Sequence, residues 1–484
     1  MRPFVNRTAE VSALRRRLAA RRSFVLLYGQ RRTGKTWLLQ HVLEGDGDCL
    51  FFTADETTPR MLLERFVVLA AAQNRLPGQV TPSAVGDWGT ALTLLLQEAV
   101  LRKRRLVIAL DECQYLLDRE PSFPSVLQRL WDEFRPRLSL HIVLCGSALG
   151  TMARLGDSRQ PLHGRFDLKL QLRPFSYADA GLFVPSWSPV DRLRLYGIFG
   201  GLARHLAYVD PGCDLASNLC QVVLDPLSPL HDAPHDILRT ERLSAPAEAD
   251  AILGAMAHGE NRFNAIAART GLAAPRLDRV LSELQSLDIV RKEARIGDSD
   301  GSRYVRYRCA DPFMQFWFRL VEGNRTALQS TPAARVYQER ILPQLDTCMG
   351  SVFESIVEQA VRRGVLSAHM DPVDEVGSYW SRDGKTEIDL VVRSRRRTAF
   401  IECRWRAETT VPSSALSQLR EHAARTPFAA QEAIYCIASA GSFSKGLRQC
   451  AGEGKVVLIG LPELTGLPGT EARDNMGPMV KTWS

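Results

Sequence analysis

A chain of 484 residues with 45% hydrophobic and 24% charged residues has the make-up of an ordinary globular protein and is too long for one core, so two to four domains are expected. The formal net charge of +8 is mild for this length; it is compatible with nucleic acid and does not demand it. No apolar run approaches a membrane span, the opening MRPFVNRTAE holds no signal-type apolar core, and the ten cysteines include no C-x-x-C pair, so a cytoplasmic protein with reduced cysteines, no zinc site and no disulfide frame is expected.

Residues 1–240 read as alternating strands and helices. Short apolar runs at 24–28, 50–53, 106–110, 141–145 and 168–172, separated by helical stretches, predict a parallel sheet with helices on both faces and ligands at its carboxyl edge. The first run, FVLLY, leads into Gly29, Gln30, Arg31, Arg32, Thr33, Gly34, Lys35 and Thr36, and the following Trp37 opens an apolar helix. A strand, this loop and then a helix form a phosphate cradle: backbone N–H groups and the helix N-terminus face the phosphates, Lys35 reaches the β- and γ-phosphates, and Thr36 ligates Mg²⁺. The third run, LVIALDECQYL, ends in Asp111 and Glu112, which predicts Asp111 as a metal ligand and Glu112 as the general base for the attacking water. Ser147, just past the fourth run, senses the γ-phosphate or places the attacking water, or else merely completes a turn with Gly146. Arg165, immediately before the fifth run, is a candidate for stabilising transition-state charge in cis or from a neighbouring subunit.

Phe4-Val5-Asn6-Arg7-x-x-Glu10, the loop GQRRTGKT, and the strings LDECQYL, CGSALG, PLHGR and RPFSYADAGLF together resemble the archaeal-type ATPase family of the AAA+ and STAND group. The resemblance implies that Asn6 and Arg7 lie near the adenine or ribose of ATP. It also implies a Gly-Gly-x-Pro lid turn, which this chain departs from at Ala203.

Residues 241–310 turn purely helical and then carry two strand-like pieces joined by GDSDGS, a winged helix-turn-helix pattern that the resemblance shares. Leu277, Val280, Leu281, Leu284 and Leu287 mark the core face of its third helix. The outer face mixes Arg276, Asp278, Arg279, Ser282, Glu283 and Gln285, which opposes a uniform attraction for phosphate, whereas Arg303, Arg306 and Arg308 near the wing favour DNA. Both a DNA reader and a coupling module remain open. Residues 311–345 are linking helices whose Phe313, Phe316, Trp317 and Phe318 fit an interdomain core better than a base-stacking set.

From 346 to 465 the order is helix, three strands, helix and strand, with an RDGK hairpin turn. Asp389 and Glu402 fall together at one end of paired strands and Glu354 approaches from the helix, a donor set suited to Mg²⁺ and phosphodiester chemistry. The pattern resembles the PD-(D/E)xK restriction-endonuclease-like superfamily, with Arg404 where the superfamily has lysine and Gln418 on the next helix. Arginine stays protonated and is forked, so Arg404 can stabilise charge but hardly take a proton. The stretch beyond about 461 reads as a loosely packed tail, with 466–484 outside the domains.

The expected molecule is an α/β multidomain ATPase using ATP and Mg²⁺, coupled to a DNA-acting, nuclease-like domain in defence or mobile-element maintenance. The alternative is an ATP-driven switch that binds DNA or a protein partner through a degenerate, non-cleaving domain. A homo-oligomer is compatible with either.

Overall fold

The computed structural model of the protein describes residues 4–78, 80–241, 243–298, 304–405, 407–429 and 431–466. Two compact units emerge: Phe4–Pro174 with Leu202–Arg204, and the rest of the chain, including Phe175–Gly201.

In the first unit, β1 (Ser23–Tyr28), β2 (Cys49–Thr53), β3 (Leu106–Asp111), β4 (Leu140–Gly146) and β5 (Leu168–Gln171) form one sheet in the order β2-β3-β4-β1-β5. Every pairing is parallel. Alternate residues of each central strand enter different cores. Phe24, Leu26, Ile108, Leu110, Ile142 and Leu144 pack on one side, and Val25, Leu27, Val107, Ala109, Val143 and Cys145 on the other. A strand buried on both faces is apolar at nearly every position, which is why the central strands read as largely hydrophobic runs. All five fall within a residue of the expected segments. Crossovers place the β1 and β3 ends on either side of β4, so the loop after Tyr28 and the acids after Leu110 share the carboxyl edge.

The second unit begins with Phe175–Gly201, which falls within the 1–240 stretch expected as the ATPase. Its helix Pro189–Phe199 packs on the long helix Leu342–Arg362, where a Cβ at Gly197 would meet Met349 Sδ at 2.3 Å. The winged helix follows as helices Pro246–Ala257, Phe263–Thr270 and Ala274–Ser286, then the antiparallel ribbon β6 (Val290–Ala294) and β7 (Val305–Cys309). Leu277, Val280, Leu281 and Leu284 are buried as expected, and Leu287 is half-buried at the helix end. Phe313, Phe316, Trp317 and Phe318 are fully buried core, with the Trp317 indole donating to His231 O at 2.7 Å.

The C-terminal sheet contains β8 (Val373–Trp380), β9 (Glu387–Ser394), β10 (Arg397–Arg404), β12 (Glu432–Ser439) and β14 (Val457–Ile459), ordered β14-β12-β10-β9-β8. β8, β9 and β10 pair antiparallel, whereas β10, β12 and β14 pair parallel. The short strands β11 (Thr410–Val411) and β13 (Ser442–Phe443) pair beside it. The RDGK stretch is the β8–β9 turn, with Gly384 at φ +73° and Ser381 N–H closing on Thr386 O at 2.8 Å. The expectation of a loose tail needs correction for its first residues: Leu461–Thr465 is a helix, Leu464 is buried, and its carbonyl accepts from the Tyr177 hydroxyl at 2.8 Å, whereas 467–484 lie outside the described residues. A short apolar Leu-Pro-x-Leu turn finds a site that its polar surroundings in sequence conceal.

Candidate active site

The loop after β1 can turn only because of its glycines. A Cβ at Gly29 would lie 2.2 Å from the Leu172 carbonyl oxygen, and Gly34 takes φ +93° with Ala203 Cβ 3.2 Å from where its own would be. Arg32 also adopts a left-handed backbone, φ +68°, a conformation that persists in non-glycine residues only when the surroundings enforce it. Thr33 Oγ1 donates to Gln30 O at 2.8 Å, and Arg204 N–H reaches Arg32 O at 3.2 Å. Lys35 is buried and its ammonium donates to Gly29 O and Gln30 O at 3.0 and 2.9 Å. Burial lowers its pKa, against the raising influence of Cys145, Glu112 and Asp111. Arg31 donates to the Tyr115 hydroxyl at 3.2 Å, and Trp37 is half-exposed on the helix Lys35–Leu43.

Thr36 Oγ1 donates to Asp111 Oδ2 at 2.8 Å, joining the loop to the end of β3. Asp111 is buried and its Oδ1 has no hydrogen-bond partner among the described residues. An unsatisfied carboxylate oxygen beside a threonine hydroxyl is a donor pair that a hard divalent cation fits, so Thr36 and Asp111 suit Mg²⁺. Glu112 lies at φ +51°. Its carboxylate accepts from the Ser147 hydroxyl, at 3.2 Å to Oε1 and 3.1 Å to Oε2, and from the Gln114 amide. Ser147 N–H donates to Gln114 Oε1 at 3.1 Å. Ser147 is thus brought to Glu112 rather than left in an isolated turn. Gln114 was missed by the sequence reading because one glutamine two positions after an acid carries no spacing signal.

Two further expected site residues, Arg7 and Arg165, lie in different surroundings. Arg7, at φ +64° and buried, donates to Arg173 O at 2.7 Å and Thr33 O at 3.5 Å and pairs with Glu10 at 3.1 Å, so it buttresses the loop. Asn6 precedes it at φ +54°, and Phe4 stacks on His41 of the helix Lys35–Leu43 at 4.2 Å. Arg165 is not brought to the loop of its own chain. It pairs with Asp132 at 2.7 Å and donates to Pro161 O and His163 O, at the amino end of β5, where Asp167 meets the start of β1. Because β5 runs parallel to β1, that end of the sheet is opposite the phosphate loop.

Residues 4–209 match the family described as an ATPase domain predominantly from Archaea. The chain carries an archaeal-type ATPase domain. Residues 317–417 match a family of archaeal and bacterial proteins of unknown function. Over 411 residues, 83% of this chain and 88% of the relative, it is 22% identical to an uncharacterized protein of Methanocaldococcus jannaschii. Among solved structures it is similar to a Walker-type ATPase of Pyrococcus abyssi, with 19% identity, 66% of this chain and 99% of that chain covered and a TM-score of 0.49. It is also similar to the ORC2 protein of Aeropyrum pernix, with 16% identity, 68% and 97% covered and a TM-score of 0.45.

The second unit holds the other acids, distinct from the ATPase domain. Asp389 on β9 accepts the Cys403 N–H at 2.7 Å, Glu402 on β10 pairs with Arg404 at 2.6 Å, and Glu354 on the helix Leu342–Arg362 pairs with Arg308 at 3.0 Å. Burial pushes Glu354 and Glu402 up to about 7 and raises Asp389. Asp389 adds repulsion to the other two, while Arg308 and Arg404 oppose the rise. The acids therefore feel one another, yet among the described residues no group of three or more His, Cys, Asp or Glu side chains converges to hold a metal ion. Each of Glu354, Asp389 and Glu402, the expected ligand trio, holds a partner of its own in this structure, and Asp389 raises the pKa of the other two. Gln418 is exposed on the helix Ser414–Ala424.

The wing arginines expected to face DNA are also engaged. Arg306 makes a forked contact with Glu387 at 2.5 and 3.2 Å and lies 4.3 Å over the Trp380 ring. Arg308 bridges Glu293 and Glu354, and Ile296 N–H donates to Ser378 O at 3.0 Å. Arg303 lies outside the described residues. On the third helix, Arg276 pairs with Glu248 at 2.6 Å and Arg279 with Glu283 at 3.3 Å.

Proposed function

We propose that the protein is an Mg²⁺-dependent ATPase whose nucleotide state governs a second unit that holds a DNA or protein partner without cutting it. The observation that carries the ATPase half is the Thr36–Asp111 bond beside the free Asp111 oxygen. The loop and Lys35 bind the phosphates, and Lys35 exchanges its carbonyl partners for phosphate oxygens. Glu112 orients a water and accepts its proton as the water oxygen bonds to the γ-phosphorus and the bond to the β–γ bridging oxygen breaks, releasing ADP. When bound between Thr36 and Asp111, Mg²⁺ supplies neutralisation of phosphate charge.

Holding rather than cutting is supported by the acids of the second unit, each committed to an arginine or a backbone N–H. A nuclease reading keeps one observation in its favour: Asp389 raises the pKa of both Glu354 and Glu402, an excess of negative charge that a divalent cation relieves. Incubation of the full chain with linear, circular and single-stranded DNA, with Mg²⁺ or Mn²⁺ and with or without ATP, separates the two. Partner retention that depends on ATP and is lost in Lys35→Ala, without cutting, is expected. Cutting that disappears in Asp389→Ala would replace this reading with the nuclease one.

A further inference from the structure

Gln114 is buried at 3% exposure and uses both ends of its amide. Its Oε1 accepts Ser147 N–H at 3.1 Å and its Nε2 donates to Glu112 Oε2. The Ser147 hydroxyl, 3.1 Å from the same Glu112 oxygen, closes a ring of Glu112, Gln114 and Ser147. Space for the ring is made by Gly146, where a Cβ would stand 2.7 Å from Gln114 Oε1 and 2.6 Å from Met152 Sδ. The backbone beneath is fixed too: Cys113 N–H donates to Cys145 O at 2.8 Å and ties the exits of β3 and β4 together.

The chemistry of the ring selects an amide. A backbone N–H requires an acceptor and an ionised carboxylate requires a donor, so one side chain placed between them must present both. Glutamate would set a second negative charge against Glu112, and an apolar residue would leave the Ser147 N–H buried without a partner. Glu112 also holds φ +51°, a backbone that a glutamate keeps only when its surroundings enforce it.

We infer that Gln114 is the positioning residue that couples Ser147, at the end of β4, to Glu112, so that ATP hydrolysis depends on it while ATP binding does not. Displacement of Ser147 by the γ-phosphate is relayed through the Gln114 amide to the carboxylate that handles the water. This inference rests on the proposed role of Glu112 as general base.

The test uses the full chain as wild type, Lys35→Ala, Glu112→Gln, Gln114→Ala, the near-isosteric Gln114→Glu and the double variant Glu112→Gln/Gln114→Ala, with thermal melts to confirm folding. The expected result is a kcat at least about tenfold lower in both Gln114 variants with the ATP dissociation constant within about threefold of wild type. The double variant should turn over no more slowly than Glu112→Gln, because the two residues act as one unit. A kcat within about twofold of wild type, a parallel loss of ATP affinity, or a further fall of the same size on top of Glu112→Gln would overturn it. Wild type without Lys35-dependent turnover would remove both this inference and the ATPase reading, whereas turnover lost in Glu112→Gln but kept in Gln114→Ala would remove only this one.

Discussion

Asp311 takes a carboxylate into the interior with one oxygen on the Phe313 N–H at 3.0 Å and Oδ2 without a partner among the described residues. Burial pushes its pKa up to about 7, against an ordinary value of 3.8. The folded state therefore holds this proton more tightly than the unfolded chain, and stability contributed by the protonated form falls as pH rises from about 4 to about 7. Asp311→Asn keeps an acceptor for the Phe313 N–H and removes the charge. It should raise the midpoint of thermal unfolding above wild type at pH 8, by on the order of 1–3 kcal/mol of stability, and change it little at pH 4. Melting curves at the two pH values check this. Gly29 is tested in the opposite direction. With 2.2 Å between a would-be Cβ and Leu172 O, Gly29→Ala should displace the loop or strand β5 and abolish ATP binding, read by titration with a fluorescent nucleotide.

The glycines and Lys35 were legible in sequence because a phosphate cradle dictates residue type at each backbone position. The contacts that occupy the wing arginines were not, since their partners lie 46 and 81 residues away. The same separation hid the placement of Arg165. Its position immediately before a strand is plain in sequence, but strand direction relative to β1 decides which end of the sheet it occupies.

At the scale of elements, the β6–β7 ribbon joins the C-terminal sheet. Ile296 extends backbone pairing to Ser378, Arg295 donates to Trp380 O at 3.3 Å, and Arg306 and Arg308 reach Glu387 and Glu354. A wing held this way acts as a structural brace, which suits the coupling role. The Arg308–Glu354 pair gives a pH-dependent prediction. Because Glu354 titrates near 7 in the folded protein, it is largely protonated at pH 5.5 and the pair contributes little there; as pH rises through 7 the pair forms and its loss costs more. Arg308→Ala should destabilise by about 1–3 kcal/mol at pH 8 and by less at pH 5.5, and Glu354→Gln should suppress the difference. Denaturant melts of the four-member mutant cycle at both pH values measure it.

For the whole molecule, the fold class and the ATPase module were readable from periodicity and motif order because parallel strands covered on both faces leave unbroken apolar runs. Among the described residues, the chain crosses between its two compact units after Pro174, Gly201 and Arg204. The short Leu202–Arg204 segment meets the phosphate loop at Gly34 and Arg32, while its flanking residues belong to the other unit. A change at the loop on binding or losing the γ-phosphate therefore has a covalent route to the second unit. That route has force only if the loop site turns over ATP. The most direct measurement is steady-state ATP hydrolysis by the purified chain with and without Mg²⁺, beside Lys35→Ala and Glu112→Gln, with ATP binding followed in parallel. Mg²⁺-dependent turnover that falls on the order of 100-fold in both variants, with binding lost in Lys35→Ala and kept in Glu112→Gln, is the predicted result. Turnover unchanged in Glu112→Gln would contradict the assignment of the general base, and no Lys35-dependent turnover in wild type would contradict the ATPase itself.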